Sequence, residues 1–225
     1  MSIFLSLLKN IPLFEDFNEE ELRAVAPLFT ERNFKKGAIL FFEGDKGHDF
    51  YIIKSGFIKI YQFEEDKEVT LALFRDGDFF GDMALIDKNA TRSATAETLE
   101  PTSVYVINRG DFERFLMNTP KLCLNLLGFT IQRLRNANQQ IYDLTFLDVR
   151  SRILKNIHRL SEDYGKTVPG GLLIDLKLTH QQLANLAGTV RESVTKVLQE
   201  LQDRNIISIE KKRILILNME KLQQY

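Results

Sequence analysis

The chain has 225 residues, with 30 Lys and Arg against 31 Asp and Glu, and a single cysteine. Its 44% hydrophobic and 27% charged residues are typical of globular proteins and exclude a disordered or collagen-like chain. One cysteine excludes an internal disulfide framework and an iron–sulfur cluster, and no apolar run reaches the roughly 18 residues of a membrane span, so we expect a cytoplasmic protein with no membrane partner.

The charge is distributed unevenly along the chain. Residues 145–225 contain 13 Lys and Arg and 9 Asp and Glu, a balance of +4, whereas residues 1–144 contain 17 and 22, a balance of −5. A basic C-terminal part beside an acidic N-terminal part is typical of proteins in which only one domain contacts phosphate. The overall net charge of −1 therefore does not exclude a DNA-binding protein.

The first hundred or so residues have the pattern of a small β-structure. Asn18 and Glu21 predict a capping box at a helix start. From about residue 37, short β-branched and aromatic runs alternate with glycines: AILFFE, FYIIKSGFIKIYQF, VTLALFRDGDFFG and TSVYVI. Such frequent turns favour a small antiparallel sandwich or roll, which we predict over residues 1–118 as a domain of jelly-roll type.

After Asp111 the apolar spacing becomes helical. Residues at alternating spacings of three and four form a seam: Leu124, Leu127, Ile131, Leu134, Asn138, Ile141 and Thr145. A heptad seam with one asparagine at an a position is typical of two parallel helices, so residues 119–145 are predicted to be a dimerisation helix in a homodimer. The alternative is an amphipathic helix packed on its own domain. Cys123, in the same helix, is expected to pack rather than to do redox chemistry.

Residues 146–225 have the pattern of a winged helix. A first helix is followed by the turn-rich connector DYGKTVPGG and a short strand in LLIDLKL. Thr179 with Gln182, and Thr189 with Glu192, predict two capping boxes on either side of a turn at Gly188. IISIEKKRILIL then predicts two strands joined by a basic turn. A helix-turn-helix followed by a β-hairpin indicates DNA binding, and the overall fold class is α+β.

In this order, the features make the chain resemble the CRP/FNR family of bacterial transcription factors over nearly its whole length. The resemblance includes a cassette-like stretch from Gly81-Asp82-Met83-Ala84-Leu85 through Arg92-Ser93-Ala94, and the hinge Phe146-Leu147-Asp148. It implies a homodimer with an effector domain and a winged helix that binds a palindromic promoter site in double-stranded DNA, with RNA polymerase as a further partner. The C-terminal half is also similar to cyanobacterial nitrogen regulators, which sense 2-oxoglutarate.

The second helix of the helix-turn-helix is expected to contact base edges. Arg191 can pair with guanine, Glu192 can accept from a cytosine amino group, and Lys196 can reach guanine or phosphate. By resemblance, these are the positions where cyclic-AMP receptor proteins have arginine, glutamate and arginine, so a TGTGA-like half-site is expected. Thr189 and Thr195 complete the base-facing set. Contacts to phosphate are expected from Thr179, His180, Gln181, Lys211, Lys212 and Arg213.

The cassette-like stretch contains a candidate effector site. An arginine in a mostly apolar roll needs an anionic partner, and Arg92 with the Ser93 hydroxyl can hold a phosphate. Asp82, after Gly81, can accept from a sugar hydroxyl, although the family usually has glutamate there. By resemblance Asn138 faces the adenine, where members that bind cyclic AMP have hydroxyl residues. A cyclic nucleotide, with cyclic AMP as its example, is the favoured effector.

Two alternatives for this site and one for the whole protein stay open. Arg92 together with Arg133 can hold the two carboxylates of a different anion such as 2-oxoglutarate. Asp82 and Arg92 can instead pair with each other, with no ligand bound. The chain can also be a cyclic-nucleotide-binding module that regulates a protein partner. No catalytic pattern indicates an enzyme, and neither a haem nor an iron–sulfur cofactor is expected from one cysteine and scattered histidines.

Overall fold

A computed structural model describes residues 3–87 and 91–223. The chain forms two compact units, Met1–Leu134 and Arg135–Tyr225. The first unit begins with helices α1 (Ile3–Lys9) and α2 (Glu19–Val25). The capping box of α2 is confirmed, because Asn18 Oδ1 accepts from the Glu21 amide and the Glu21 carboxylate accepts from the Asn18 amide.

The predicted antiparallel roll is confirmed and consists of two four-stranded sheets with the orders β1-β8-β3-β6 and β2-β7-β4-β5. The strands are β1 (Thr30–Phe34), β2 (Ile39–Phe41), β3 (Asp49–Ser55), β4 (Ile58–Glu64), β5 (Lys67–Phe74), β6 (Phe79–Phe80), β7 (Thr95–Thr98) and β8 (Thr102–Asn108). The sequence patterns did not predict β1 and β7. Their sequences TERNF and TAET lack the apolar runs used to find the others.

Strand β3 connects two hydrophobic cores. Successive side chains of a strand point to opposite faces, and here Phe50 packs into one core while Tyr51 packs into the other. The first core also contains Phe112 of helix α4 (Arg109–Asn118) and Leu122 of helix α5 (Pro120–Phe146). The second lies among strands of the roll. This arrangement fixes the roll to its flanking helices and to the short helix α3 (Met83–Ile86).

Helix α5 packs on the first unit through a face different from the heptad seam. Leu122 and Leu126 are buried, whereas Leu124 is 69% exposed and Leu134 is 60% exposed. Helix α5 thus does pack on its own domain, as the alternative expects, but the seam residues stay exposed and do not make that contact. Cys123 is exposed, so the expectation that it packs inside the chain is also wrong. Dimerisation through the seam, and the boundaries 1–118, 119–145 and 146–225, stay predictions.

The second unit is the predicted winged helix. Its sheet has the order β11-β12-β10-β9. Its elements after α5 are α6 (Val149–Tyr164), β9 (Gly165–Val168), β10 (Gly171–Ile174), α7 (His180–Ala187), α8 (Arg191–Asp203), β11 (Ile207–Glu210), β12 (Arg213–Ile216) and α9 (Met219–Gln223). The connector DYGKTVPGG is more ordered than expected, because GKTV pairs with GLLI as a hairpin. No helix in the described residues is long and apolar enough to cross a membrane.

Candidate functional site

In the first unit, the chain turns at Gly81 between β6 and α3. Gly81 has a φ of +88°, and a Cβ atom there would lie 2.8 Å from Arg92 Nη1 and 2.9 Å from the carbonyl oxygen of Asp49. A positive φ and this close approach both require glycine. The turn therefore brings a backbone carbonyl directly against the guanidinium of Arg92.

Arg92 is only 4% exposed. Its Nη1 donates to the Gly81 carbonyl at 2.9 Å and its Nη2 donates to the Asp49 carbonyl at 2.7 Å. Its Cζ lies 4.1 Å from the centre of the Phe41 ring. Within the described residues its Nε is buried without a hydrogen-bond partner. Burial lowers the pKa of the Arg92 guanidinium, while the nearby Tyr51 and Asp49 act in the opposite direction.

These contacts leave Arg92 with carbonyl partners and no carboxylate partner in the part of the chain that is described. Carbonyl dipoles only partly offset the cost of burying a full charge. An anion that reaches the guanidinium would supply the missing charge and accept from a donor that is already desolvated. The residues present therefore fit a small anionic group.

Asp82 does not pair with Arg92, so that alternative is wrong. The Asp82 carboxylate accepts from Arg133 Nη1 at 2.8 and 3.0 Å, and Arg133 Nη2 donates to the Phe79 carbonyl at 2.7 Å. Helix α5 brings Arg133 over the cassette, whereas the side chain of Arg92 is turned onto backbone carbonyls. Asp82 is 4% exposed, and its carboxylate already has a charged partner.

Four of the predicted effector residues, Gly81, Asp82, Arg92 and Arg133, come together in the first unit. Ser93 lies next to Arg92 and is exposed, with its Oγ 3.9 Å from the sulfur of Met83. Asn138 is exposed on the part of α5 that belongs to the second unit, and its role in effector binding stays a prediction. Residues 88–90 of the cassette-like stretch lie outside the described residues.

In the second unit, α7, the turn and α8 form a helix-turn-helix. The capping box of α7 is confirmed, since Thr179 Oγ1 accepts from the Gln182 amide at 3.1 Å and Gln182 Oε1 accepts from the Thr179 amide at 2.8 Å. Gly188 ends the helix with a φ of +59°, and a Cβ there would lie 2.8 Å from Leu144 Cδ2. The left-handed backbone conformation therefore favours glycine at this helix end.

Arg152 of α6 holds this turn. Its Nε donates to the Ala187 carbonyl at 2.9 Å, its Nη1 to the Leu147 carbonyl at 2.9 Å, and its Nη2 to the Gly188 carbonyl at 3.2 Å. One guanidinium thus connects the segment between α5 and α6 to the turn of the helix-turn-helix. No sequence signal indicated this contact, because its acceptors are backbone carbonyls.

The predicted capping box of α8 is wrong. The N-cap is Val190, and it makes no side-chain cap bond. The helix begins one residue later than a box at Thr189 requires, so Glu192 occupies the second helical position instead of the third. The Glu192 side chain is consequently in the exposed first turn and is not needed for capping.

Helix α8 has one buried and one exposed face. Val194, Val197, Leu198 and Leu201 are buried against the rest of the unit. The opposite side exposes Arg191, Glu192, Thr195 and Lys196. The two pairs formed by residues 191 and 195 and by residues 192 and 196 are each one turn apart, so all four share a face. This is the face that a recognition helix presents to the major groove.

His180, at the start of α7, contacts α8 directly. Its Nδ1 lies 2.8 Å from Thr195 Oγ1, and Thr195 Oγ1 donates to the Arg191 carbonyl at 2.9 Å. The next residue, Gln181, is exposed and bonds Asn185 Oδ1 at 2.8 Å. A polar contact therefore joins the N-terminal end of α7 to the first turns of α8.

The basic turn between β11 and β12 is a tight hairpin. Lys211 and Lys212 have φ values of 48° and 66°, as in a type I′ turn, and both side chains are exposed. Arg213 is placed differently, because its Nη2 lies 3.0 Å from Asp175 Oδ1. The pKa of Asp175 is lowered, mainly by a hydrogen bond from Lys166 and also by the charge of Arg213. Arg213 is thus held in an ion pair, whereas the two lysines are exposed at the turn.

Comparison with known proteins agrees with this architecture. The profile of the cyclic nucleotide-binding domain matches residues 31–119, and that of the Crp-like helix-turn-helix domain matches residues 151–225. The global nitrogen regulator of Synechococcus elongatus is 31% identical over 200 residues, which are 88% of this chain and 90% of that protein. The cyclic AMP receptor protein of Thermus thermophilus is 30% identical over 203 residues, 90% of each chain.

A solved structure of a CRP/FNR-family transcriptional regulator from Thermus thermophilus superposes with a TM-score of 0.71 at 27% identity. The match covers 87% of this chain and 97% of that one. A roll with a cyclic nucleotide-binding profile, followed by a winged helix-turn-helix, defines a DNA-binding transcription regulator. With relatives at 30% identity or more over nearly their whole length, the chain belongs to the CRP/FNR family.

Proposed function

We propose that the protein is a dimeric, sequence-specific transcription regulator that binds a palindromic site with TGTGA-like half-sites. The observation that carries this proposal is the exposed face of α8, where Arg191, Glu192 and Lys196 lie together in the first turns of the helix. Arginine and glutamate in these positions match the donor and acceptor pattern of a G·C-containing half-site. Lys196 replaces the planar fork of an arginine with a point charge, so its base preference is weaker.

The proposed dimer uses the heptad seam of α5. Leu124, Leu127, Leu134 and Ile141 are each more than half exposed in the single chain. Exposed leucines at this regular spacing are costly in water and are buried when two parallel helices associate. Two-fold symmetry would present two recognition helices to half-sites one helical turn apart, with RNA polymerase as the protein partner at the promoter.

The proposed effector is a small anion that binds at Arg92, with a cyclic nucleotide as first candidate. Support comes from the buried Nε of Arg92, from the match to the cyclic nucleotide-binding domain, and from a relative named as a cyclic AMP receptor protein. In this site Arg92 would hold the negative charge, the Ser93 hydroxyl would donate to it, and Gly81 would allow the close approach.

One observation favours a second candidate, the same regulator with another anion such as 2-oxoglutarate or with no ligand. A ribose hydroxyl would have to reach the Asp82 carboxylate, which is buried and already paired with Arg133. One of the relatives is a global nitrogen regulator. In this version the Asp82–Arg133 ion pair stays intact, and Arg92 alone holds the anion or retains its carbonyl contacts.

Selection of bound sequences from random duplexes, with and without cyclic AMP, cyclic GMP or 2-oxoglutarate, tests both parts. We expect an enriched palindrome, and enrichment that depends on one of the three anions. Arg92→Lys should remove the dependence on the anion, while the control Arg23→Lys, at an exposed position of α2, should leave it unchanged. Failure to enrich any sequence would contradict the DNA-reading function. Enrichment of the same palindrome under all four conditions would support the version without a ligand.

A further inference from the structure

We infer that Thr195 is a specificity residue that recognises a thymine through its γ-methyl group, with its hydroxyl held inside the protein by His180. The inference rests on the proposed reading of DNA by α8. It assigns the base contact to an apolar group on a residue that sequence patterns would describe as a hydrogen-bonding one.

The hydroxyl of Thr195 makes two contacts within the protein. A threonine hydroxyl has a single proton to donate, and here that proton is directed to the Arg191 carbonyl at 2.9 Å. The same oxygen lies 2.8 Å from His180 Nδ1. The hydroxyl therefore has hydrogen-bond partners within the protein on both α8 and α7.

The methyl group of Thr195 remains available for a base contact. Its side chain is exposed, and it lies one turn from Arg191 on the face that carries Glu192 and Lys196. The two hydrogen bonds fix the rotation about Cα–Cβ and direct the oxygen toward the protein. The remaining exposed substituent is the methyl group. A threonine methyl in the major groove packs against the C5-methyl of thymine, which no other base of DNA carries.

His180 positions Thr195 from α7. Its Nδ1 lies 2.8 Å from Thr195 Oγ1 and holds that oxygen toward the protein. Loss of His180 should free the threonine to rotate, which reduces discrimination even where overall affinity is retained.

The test replaces thymine by deoxyuridine, which lacks only the C5-methyl group. The full chain and its variants are titrated with the selected palindrome, substituted symmetrically at one thymine per half-site at a time, with any required anion present. Burial of one methyl is worth about 0.8 kcal/mol, and the symmetric substitution removes one methyl from each half-site, so we expect one position at which deoxyuridine raises Kd about 15-fold. The readout is the ratio of Kd for the deoxyuridine duplex to Kd for the thymine duplex. At that position Thr195→Ser should give a ratio near 1, and Thr195→Val should keep the wild-type ratio.

The ratio of the two dissociation constants is also the readout for His180. His180→Ala should bring the ratio at the same thymine toward 1, whatever its effect on affinity for both duplexes. Wild-type Kd values that are equal at every thymine would overturn the inference, as would an unchanged ratio in Thr195→Ser. If the protein still binds the palindrome selectively, either of these results contradicts the inference but leaves the proposed function intact. Absence of any selective binding overturns both.

Discussion

The ion pair between Asp82 and Arg133 gives the sharpest prediction about the first unit. Arg133→Met keeps much of the apolar length of the side chain but removes the guanidinium that donates twice to the Asp82 carboxylate. The side chain of Asp82 is only 5% exposed, and that of Arg133 is 33% exposed. Breaking a fully buried pair costs about 3–5 kcal/mol. Because one partner is partly solvated, we expect a loss of about 3 kcal/mol in the free energy of unfolding.

Urea denaturation at neutral pH, at one fixed protein concentration, measures this loss. The matched control is Arg135→Met, which removes the same group two residues further along α5 from an exposed position, and it should change stability by no more than about 0.5 kcal/mol. A second variant, Asp82→Asn, leaves Arg133 free to reach solvent and should cost less than Arg133→Met. Equal effects of the two arginine variants would refute the reasoning that burial of Asp82 sets the magnitude.

Three further predictions concern the second unit and α5. Arg191→Ala should weaken binding to the selected palindrome by about 1–3 kcal/mol and relax preference at one base pair, as measured by anisotropy with single-base variants; an equal loss on random DNA would contradict the base contact. Gly188→Ala should lower the free energy of unfolding by about 1–2 kcal/mol, because Gly188 has a φ of +59°. Gly128→Ala should raise it by roughly 0.5–1 kcal/mol, because Gly128 lies inside α5 and an added Cβ would meet no atom within 4 Å. Urea denaturation measures both changes. The pKa of Asp148 is lowered by the Ser151 amide, so its stabilisation is present above the ordinary value of 3.8 and is lost as the pH falls through its lower folded value. Acid titrations of unfolding should therefore show a shallower fall below pH 3.8 for Asp148→Asn than for the wild type.

Much of the fold follows from local patterns in the sequence. Capping residues such as Asn18 and Thr179 act on amides three residues away, so the sequence alone contains both partners. The glycine-punctuated strands and the seam of α5 are similarly local. Strands β1 and β7 were missed because they are short and polar, and pairing with neighbours of the sheet defines them.

The residues of the candidate effector site were predicted from the sequence, but the hydrogen bonds and ion pairs among them were not. Gly81, Asp82, Arg92 and Arg133 do lie together, yet the sequence could not decide which arginine pairs with Asp82. Residues 82 and 133 are 51 positions apart, and only the packing of α5 on the roll brings them together. The carbonyl acceptors of Arg92 belong to the backbone, so no residue type identifies them. In α8, a shift of one residue in the helix start was enough to invalidate the predicted capping box.

Arg152 also couples separate backbone segments of the second unit. By donating to the carbonyls of Leu147, Ala187 and Gly188 at once, it joins the segment between α5 and α6 to the turn between α7 and α8. A displacement of that segment would therefore carry the helix-turn-helix with it and leave the internal geometry of the motif unchanged.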